Sequence, residues 1–257
     1  MSDKGQRLDQ MLVEQGFAPS RTKAQELIKT GSVRLTRNGQ IKEKINASFK
    51  AFPEDEIQIL SGELIKYVSR AGLKLEGAIK KVQLQEHLDL EKTTALDVGQ
   101  STGGFTDCLL QLGIANVFGI DVGHGQLDEK LTNDPRVQAV EGLNVKDMLS
   151  FVEDGQFQPV DLIVMDVSFI SIQPLFKILV KLLKPGGYIL SLVKPQFELG
   201  LKSLDKRGLV KECSPKEQLL APLQARLESA GLQYLDFFES SLKGKTGNQE
   251  YFIFCQK

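Results

Sequence analysis

The chain predicts a doubly wound α/β sheet behind a small N-terminal α+β domain, and three observations predict it. Short, dense apolar runs at Ala95 to Val98, Val117 to Ile120, Leu162 to Met165 and Tyr188 to Val193 have the length of parallel strands buried on both faces. Amphipathic stretches such as Phe105 to Leu112 and Leu175 to Leu183 lie between them, the alternation that winds helices onto a parallel sheet. Ahead of these, residues 7 to 60 carry their own pattern of helices and then strands. A chain of 257 residues can hold two unequal domains, expected here over 1–60 and 69–257. Residues 61–68, which show no strong periodicity, are the expected linker.

In the front domain Leu8, Met11 and Leu12 stand at helical spacing before Gly16. Ser20 offers an N-cap to a second helix that turns Ala24, Leu27 and Ile28 inward and stops at Gly31. Val33 and Leu35 alternate with polar residues, Asn38-Gly39 is a hairpin turn, and Ile57 and Ile59 supply a last strand after Phe52-Pro53. From Pro19 to Lys50 there are eight basic residues against the acids Glu26 and Glu43, although the whole chain has a net charge of -1. Such a patch attracts a phosphate backbone by counterion release without reading bases.

Apolar residues make up 41% and charged residues 25%, ordinary globular values that exclude a disordered chain. Met1 to Gln10 is polar and lacks the apolar core of a secretory signal, so a cytoplasmic protein is expected. No run approaches the ~20 apolar residues of a membrane span. Cys108, Cys213 and Cys255 are odd in number and far apart, and His87 and His124 neighbour no cysteine; neither disulfides nor a bound metal is expected.

The turn after the first strand of the large domain reads Asp97-x-Gly99-x-x-x-Gly103-Gly104, a different spacing from the Gly-x-Gly-x-x-Gly that holds a pyrophosphate. It favours a ligand without phosphate. Glycines let the backbone approach a ligand closely, and a helix opening at Gly103-Gly104 suits a carboxylate at its positive end. Asp121 ends the second strand, where an acid can accept both hydroxyls of a ribose. An amino-acid carboxylate and a nucleoside ribose together describe S-adenosylmethionine.

Four charged residues stand at the edges of apolar runs. Asp166 and Lys194 end two strands, Glu250 begins the last one after the turn Gly244 to Asn248, and Lys74 lies on a helix ahead of the first. Acids and amines gathered on one sheet edge beside a glycine turn are the arrangement of a reactive site. A lysine at its reference pKa is neutral in roughly one molecule in two thousand at pH 7. Two acids and a second amine would bear on that balance in opposite directions, and which lysine serves as a base stays open.

Arg7-Leu8-Asp9, Pro19-Ser20-Arg21-Thr22-Lys23-Ala24 and Ile28-Lys29-Thr30-Gly31-Ser32-Val33, in that order, resemble the S-four-type RNA-binding domain. The resemblance implies that Arg7, Ser20, Arg21 and Lys23 touch structured RNA through its shape and phosphates. Taken with Ser69 to Lys74, Asp97 to Asp107, Ile120 to Leu127, Asp166 to Ser171, Val193 to Glu198 and Gly247 to Tyr251, the chain resembles the TlyA family. That family joins this domain to an FtsJ-like methyltransferase. The resemblance implies a Rossmann-like class I methyltransferase sheet and 2'-O-methylation of cytidine in ribosomal RNA, with ribosomal RNA or ribosomal subunits as partners. It implies S-adenosylmethionine as donor, Lys74, Asp166, Lys194 and Glu250 as catalytic tetrad, and Asp97, Gly99, Ser101, Gly103, Gly104 and Asp121 around the cofactor, with Asn144 near its adenine. Gln100 is larger than the residue usual in the loop, and Lys146 stands where an arginine is common. Members also carry the name haemolysin, so a membrane-lytic protein is one rival reading; a catalytically weak ribosome-assembly factor is another.

Overall fold

The computed structural model describes residues 5–29, 31–42, 45–59, 66–211, 215–244 and 246–257, and the chain divides into two compact units, Met1–Ser69 and Arg70–Lys257. Part of the expected linker, residues 61–65, lies outside the described residues.

In the first unit β1 (Gln6–Arg7) leads into α1 (Leu8–Glu14), which packs against α2 (Arg21–Lys29). Ser20 caps α2, its Oγ accepting from Lys23 N at 3.3 Å. β2 (Val33–Arg37) turns through Asn38 and Gly39, both at positive φ, into β3 (Gln40–Ile41). β4 (Lys50–Ala51) pairs with β1, and β5 (Glu56–Ile59) completes a sheet of order β3-β2-β5. Leu8, Met11, Leu12, Ala24, Leu27, Ile28, Val33 and Leu35 form a core that belongs to this unit.

The second unit opens with α3 (Ala71–Val82). β6 (Thr94–Val98), α4 (Gly104–Gln111), β7 (Asn116–Asp121), α5 (Glu129–Thr132), β8 (Val137–Glu141) and α6 (Met148–Glu153) follow. β9 (Val160–Met165), α7 (Phe176–Leu179), β10 (Leu183–Val193) and α8 (Pro195–Glu198) continue the alternation, and α9 (Pro215–Ser229), β11 (Gln233–Glu239) and β12 (Tyr251–Gln256) end it. The seven strands are ordered β11-β12-β10-β9-β6-β7-β8, all parallel to their neighbours except β12, which runs antiparallel to both β10 and β11. The expected doubly wound sheet is therefore present, with one reversed strand.

Two features of this order place a site. The connections leave β6 toward β7 on one side and return to β9 on the other, so the order reverses between β6 and β9, where open sheets hold ligands at their carboxyl edge. Because β12 runs antiparallel to β10 and β11, its first residues lie at the edge where those two strands end. Leu96, Ile163, Met165 and Ile189 are fully buried beneath that edge, and no described residue of β9 after Asp161 is exposed until the strand ends.

Candidate active site

The β10–β12 ladder closes with Val193 opposite Tyr251, so Lys194 and Glu250 are the next residues on two neighbouring strand ends. β9 adjoins β10 on the other side and ends one residue before Asp166. Asp166 N donates to Val98 O at 3.0 Å, which sets Asp166 beside Gly99 at the end of β6. Four adjacent strands thus deliver Glu250, Lys194, Asp166 and the glycine turn in spatial order, one strand spacing of about 4.8 Å apart. Lys74 arrives from α3. Its Nζ donates to Glu250 Oε2 at 2.6 Å although 176 residues separate the two.

The four charged residues form two ion pairs. Lys74 and Glu250 are the more enclosed, with side chains 11% and 4% exposed. Lys194 Nζ stands 2.6 Å from Asp166 Oδ1 and donates to Ser168 Oγ at 2.7 Å. Each ammonium has its own carboxylate, and Lys194 has a hydroxyl as well.

The turn after β6 explains its glycines. Gly99 has φ +83°, and a Cβ there would lie 2.9 Å from the carbonyl oxygen of Asp166, so any side chain would strike the neighbouring strand end. Gly103, at φ +88°, is the N-cap of α4 and packs where a Cβ would overlap Leu131. Ser101 takes φ +48° and gives its backbone N–H to Asp121 Oδ2 at 2.8 Å, while Gly123 N–H reaches Asp121 Oδ1 at 2.7 Å. Both Asp121 oxygens are therefore oriented by backbone donors, each keeping acceptor capacity for a further hydroxyl.

Asp97 lies fully buried beneath the turn. Its Oδ2 accepts from Thr106 Oγ at 2.7 Å, Thr106 accepts from Gln100 Nε2 at 2.8 Å, and Asp97 Oδ1 has no hydrogen-bond partner. Burial pushes the Asp97 carboxyl up to about 7; the Thr106 hydroxyl opposes the shift and the charges of Asp166 and Asp121 add to it. Gln100, the oversized residue, turns inward to this chain and is itself buried. It takes no space on the open side of the turn.

Two of the expected contact residues, Asn144 and Lys23, are engaged within the chain. Asn144 is exposed and uses its side chain to accept from Lys146 N at 3.0 Å, capping its own turn. In the first unit Arg7 and Arg21 are about half exposed and share the buried Asp9, Arg7 through two hydrogen bonds of 2.9 and 3.0 Å and Arg21 through one of 3.2 Å. Ser20 is exposed. Lys23 is turned inward, only 6% exposed, with Nζ donating to Tyr67 O at 3.3 Å and 3.6 Å from Glu26. It shares a helix face with Leu27 four residues on, a spacing visible in the sequence.

Phe169 was not singled out by the sequence. It is 87% exposed at φ +66°, a backbone conformation unfavourable for a bulky residue, three positions beyond Asp166 and with its ring centroid 5.4 Å from that of Phe197. Its place in an apolar-flanked motif after a strand was the available signal; its backbone was not legible.

A family model for FtsJ-like methyltransferases matches residues 67–257, and one for the S4 domain matches residues 6–57. The chain is 38% identical to "Hemolysin A" of Brachyspira hyodysenteriae, across 95% of this chain and 97% of that protein. It is 34% identical to the 16S/23S rRNA (cytidine-2'-O)-methyltransferase TlyA of Mycobacterium tuberculosis, across 97% of this chain and 89% of that one. A solved structure described as "Putative hemolysin from Streptococcus thermophilus" superposes with a TM-score of 0.72 at 33% identity, covering 100% of this chain and 90% of the other.

Proposed function

The chain belongs to the TlyA-like family of FtsJ-like methyltransferases with an S4 domain, and from that premise we propose that it methylates the 2'-hydroxyl of cytidine ribose in ribosomal RNA, with S-adenosylmethionine as donor. The observation that carries this reading is the delivery of Lys74–Glu250 and Lys194–Asp166 to one sheet edge, next to a glycine turn.

The residues present suit the donor. The unpartnered, buried Asp97 oxygen and the positive end of α4 at Gly103 and Gly104 offer complementary charge to an amino acid, and Asp121 offers acceptors to a ribose. Gly99 and Ser101 shape the backbone between them. When bound, S-adenosylmethionine supplies an already activated methyl on its sulfonium. What remains for the protein is placement of the hydroxyl and removal of its proton. Lys74 and Lys194 are the amines within that edge. Glu250 and Asp166 fix their direction, and the amine that is neutral accepts the proton.

On this reading residues 1–60 bind RNA, 61–68 link, and 69–257 catalyse. Arg7, Ser20 and Arg21 are the accessible members of the expected phosphate-contacting group, and Lys23 serves the packing of the segment at Tyr67. Exposed Phe169 beside the edge is the side-chain type on which unstacked bases pack. Ribosomal subunits as substrate place the protein in the cytoplasm. Among the described residues no helix is long and apolar enough to cross a membrane, and no group of His, Cys, Asp and Glu could hold a metal ion.

The experiment is transfer of labelled methyl to purified ribosomal subunits, run beside leakage of lipid vesicles. Label in RNA without leakage is the expected result. Cofactor binding without transfer to any subunit favours an assembly factor, and leakage by the pure protein favours a lytic one.

A further inference from the structure

Two motif residues, Ser171 and Glu198, have no part in the chemistry above, and the structure joins them. Glu198 ends α8, four residues after Lys194. Its Oε2 accepts from Ser171 Oγ at 2.7 Å and from Gln173 Nε2 at 3.1 Å, and its Oε1 accepts from Ile172 N at 2.8 Å. One half-buried carboxylate thus takes three donors from the segment that follows β9. Ser171 Oγ in turn receives Gln173 N at 3.3 Å, so the contact also ends the loop and starts the next helical turn.

The loop is held at its other end by the same element. Lys194, the N-cap of α8, contacts Asp166 and Ser168. Between these two grips stand Phe169 and Ile170, 87% and 46% exposed, with Phe169 at φ +66°. An exposed apolar tip in a disfavoured conformation persists only where its surroundings over-determine it. Here the surroundings are two anchors on one four-residue helix and, on the same helix, the Phe197 ring beside that of Phe169. The Lys194 anchor is part of the proposed machinery; the Glu198 anchor touches no group that reacts.

We infer that Glu198 is a positioning residue: by holding Ser171, Ile172 and Gln173 it fixes the Ser168–Ile170 tip against which the target nucleotide is received. The inference rests on the site's being that of an RNA ribose methyltransferase. It concerns how the RNA is met, and leaves the donor pocket at Gly99 and Asp121 untouched.

The test uses the full chain. The protein has no tryptophan, so Phe169→Trp places a single reporter on the tip. Adding Glu198→Ala should increase the amplitude of fast rotation in its time-resolved anisotropy at least twofold. In the chain with Phe169 intact, Glu198→Ala should lower kcat/KM for ribosomal subunits tenfold or more, with S-adenosylmethionine affinity within twofold of the parent and the melting temperature nearly unchanged. Glu198→Gln, whose amide oxygen still accepts from Ile172 N, should recover most of the loss. Ser171→Ala should give a smaller loss that does not add to that of Glu198→Ala, since the one Glu198 contact it removes is among the three already lost in Glu198→Ala; it also serves if Glu198→Ala fails to fold. Unchanged tip rotation with unchanged kinetics overturns the inference. So does a loss of donor affinity and melting temperature in step with activity, because that marks a merely structural residue. The anisotropy arm does not depend on RNA, so failure of the enzymatic reading, seen as absence of methyl transfer by the wild-type chain, is told apart from failure of this one.

Discussion

Gln100 occupies the space that a side chain on Gly119 would take. The two lie on adjacent chain segments, Gly119 within β7 opposite Asp97, and a Cβ at 119 would overlap the Gln100 amide. The large residue in the glycine turn is matched by a missing one in the neighbouring strand, which is why it can fold under the turn and reach Thr106.

Gly119→Ala should therefore overpack this spot and destabilise the chain by about 1–3 kcal/mol. Adding Gln100→Ala should restore most of it. Chemical denaturation of the single and double variants checks this, and equal midpoints for wild type and Gly119→Ala would show that the two residues do not compete.

Lys74→Met should leave Glu250 enclosed without its cation, at a cost of about 3–5 kcal/mol. Lys74→Met with Glu250→Gln should regain stability but not methyl transfer. Unfolding curves and single-turnover rates on the same preparations separate the two effects. A double variant that transfers methyl at the wild-type rate would remove the pair from the mechanism.

Asp97 gives the chain a pH dependence whose sign is fixed. Its folded carboxyl titrates at about 7, above its ordinary value of 3.8, so between these the folded state binds a proton that the unfolded state has released. Its contribution to stability is full below about pH 4. It is lost as pH rises through 7. Relative to wild type, Asp97→Asn should gain up to about 4 kcal/mol between pH 4 and pH 8, as measured by urea unfolding at each pH. A difference that stays level across this range would contradict the burial argument.

Removing residues 1–60 should leave donor affinity intact while affinity for ribosomal RNA falls and its dependence on salt weakens, because Arg7 and Arg21 leave with them. Filter binding at several salt concentrations measures both. An unaltered salt slope would assign RNA binding elsewhere.

The central strands were legible because each is a dense apolar run, and the hairpin at Asn38-Gly39 because its turn requires positive φ twice. β8 was not, since Val137 to Glu141 is an edge strand with no fully buried residue and so lacks that signature. β11 was hidden by the register shift between Tyr234 and Asp236, which breaks its alternation. At the site, strand ends located Asp166, Lys194 and Glu250 on one edge, but the pairing of Lys74 with Glu250 depends on the reversed direction of β12, which local pattern does not encode. Lys23 was expected to touch RNA from the resemblance of its segment to the S-four-type domain; its helical position beside the buried Leu27 turns it inward.

The most direct measurement is nucleoside mass spectrometry of ribosomal RNA after incubation of subunits with S-adenosylmethionine and either the wild-type chain, Lys74→Ala or Lys194→Ala, with donor binding of all three measured in parallel. The account predicts ribose-methylated cytidine from wild type alone, and donor binding by all three. A methyl group on a base, or ribose methylation by Lys194→Ala at the wild-type rate, would contradict it.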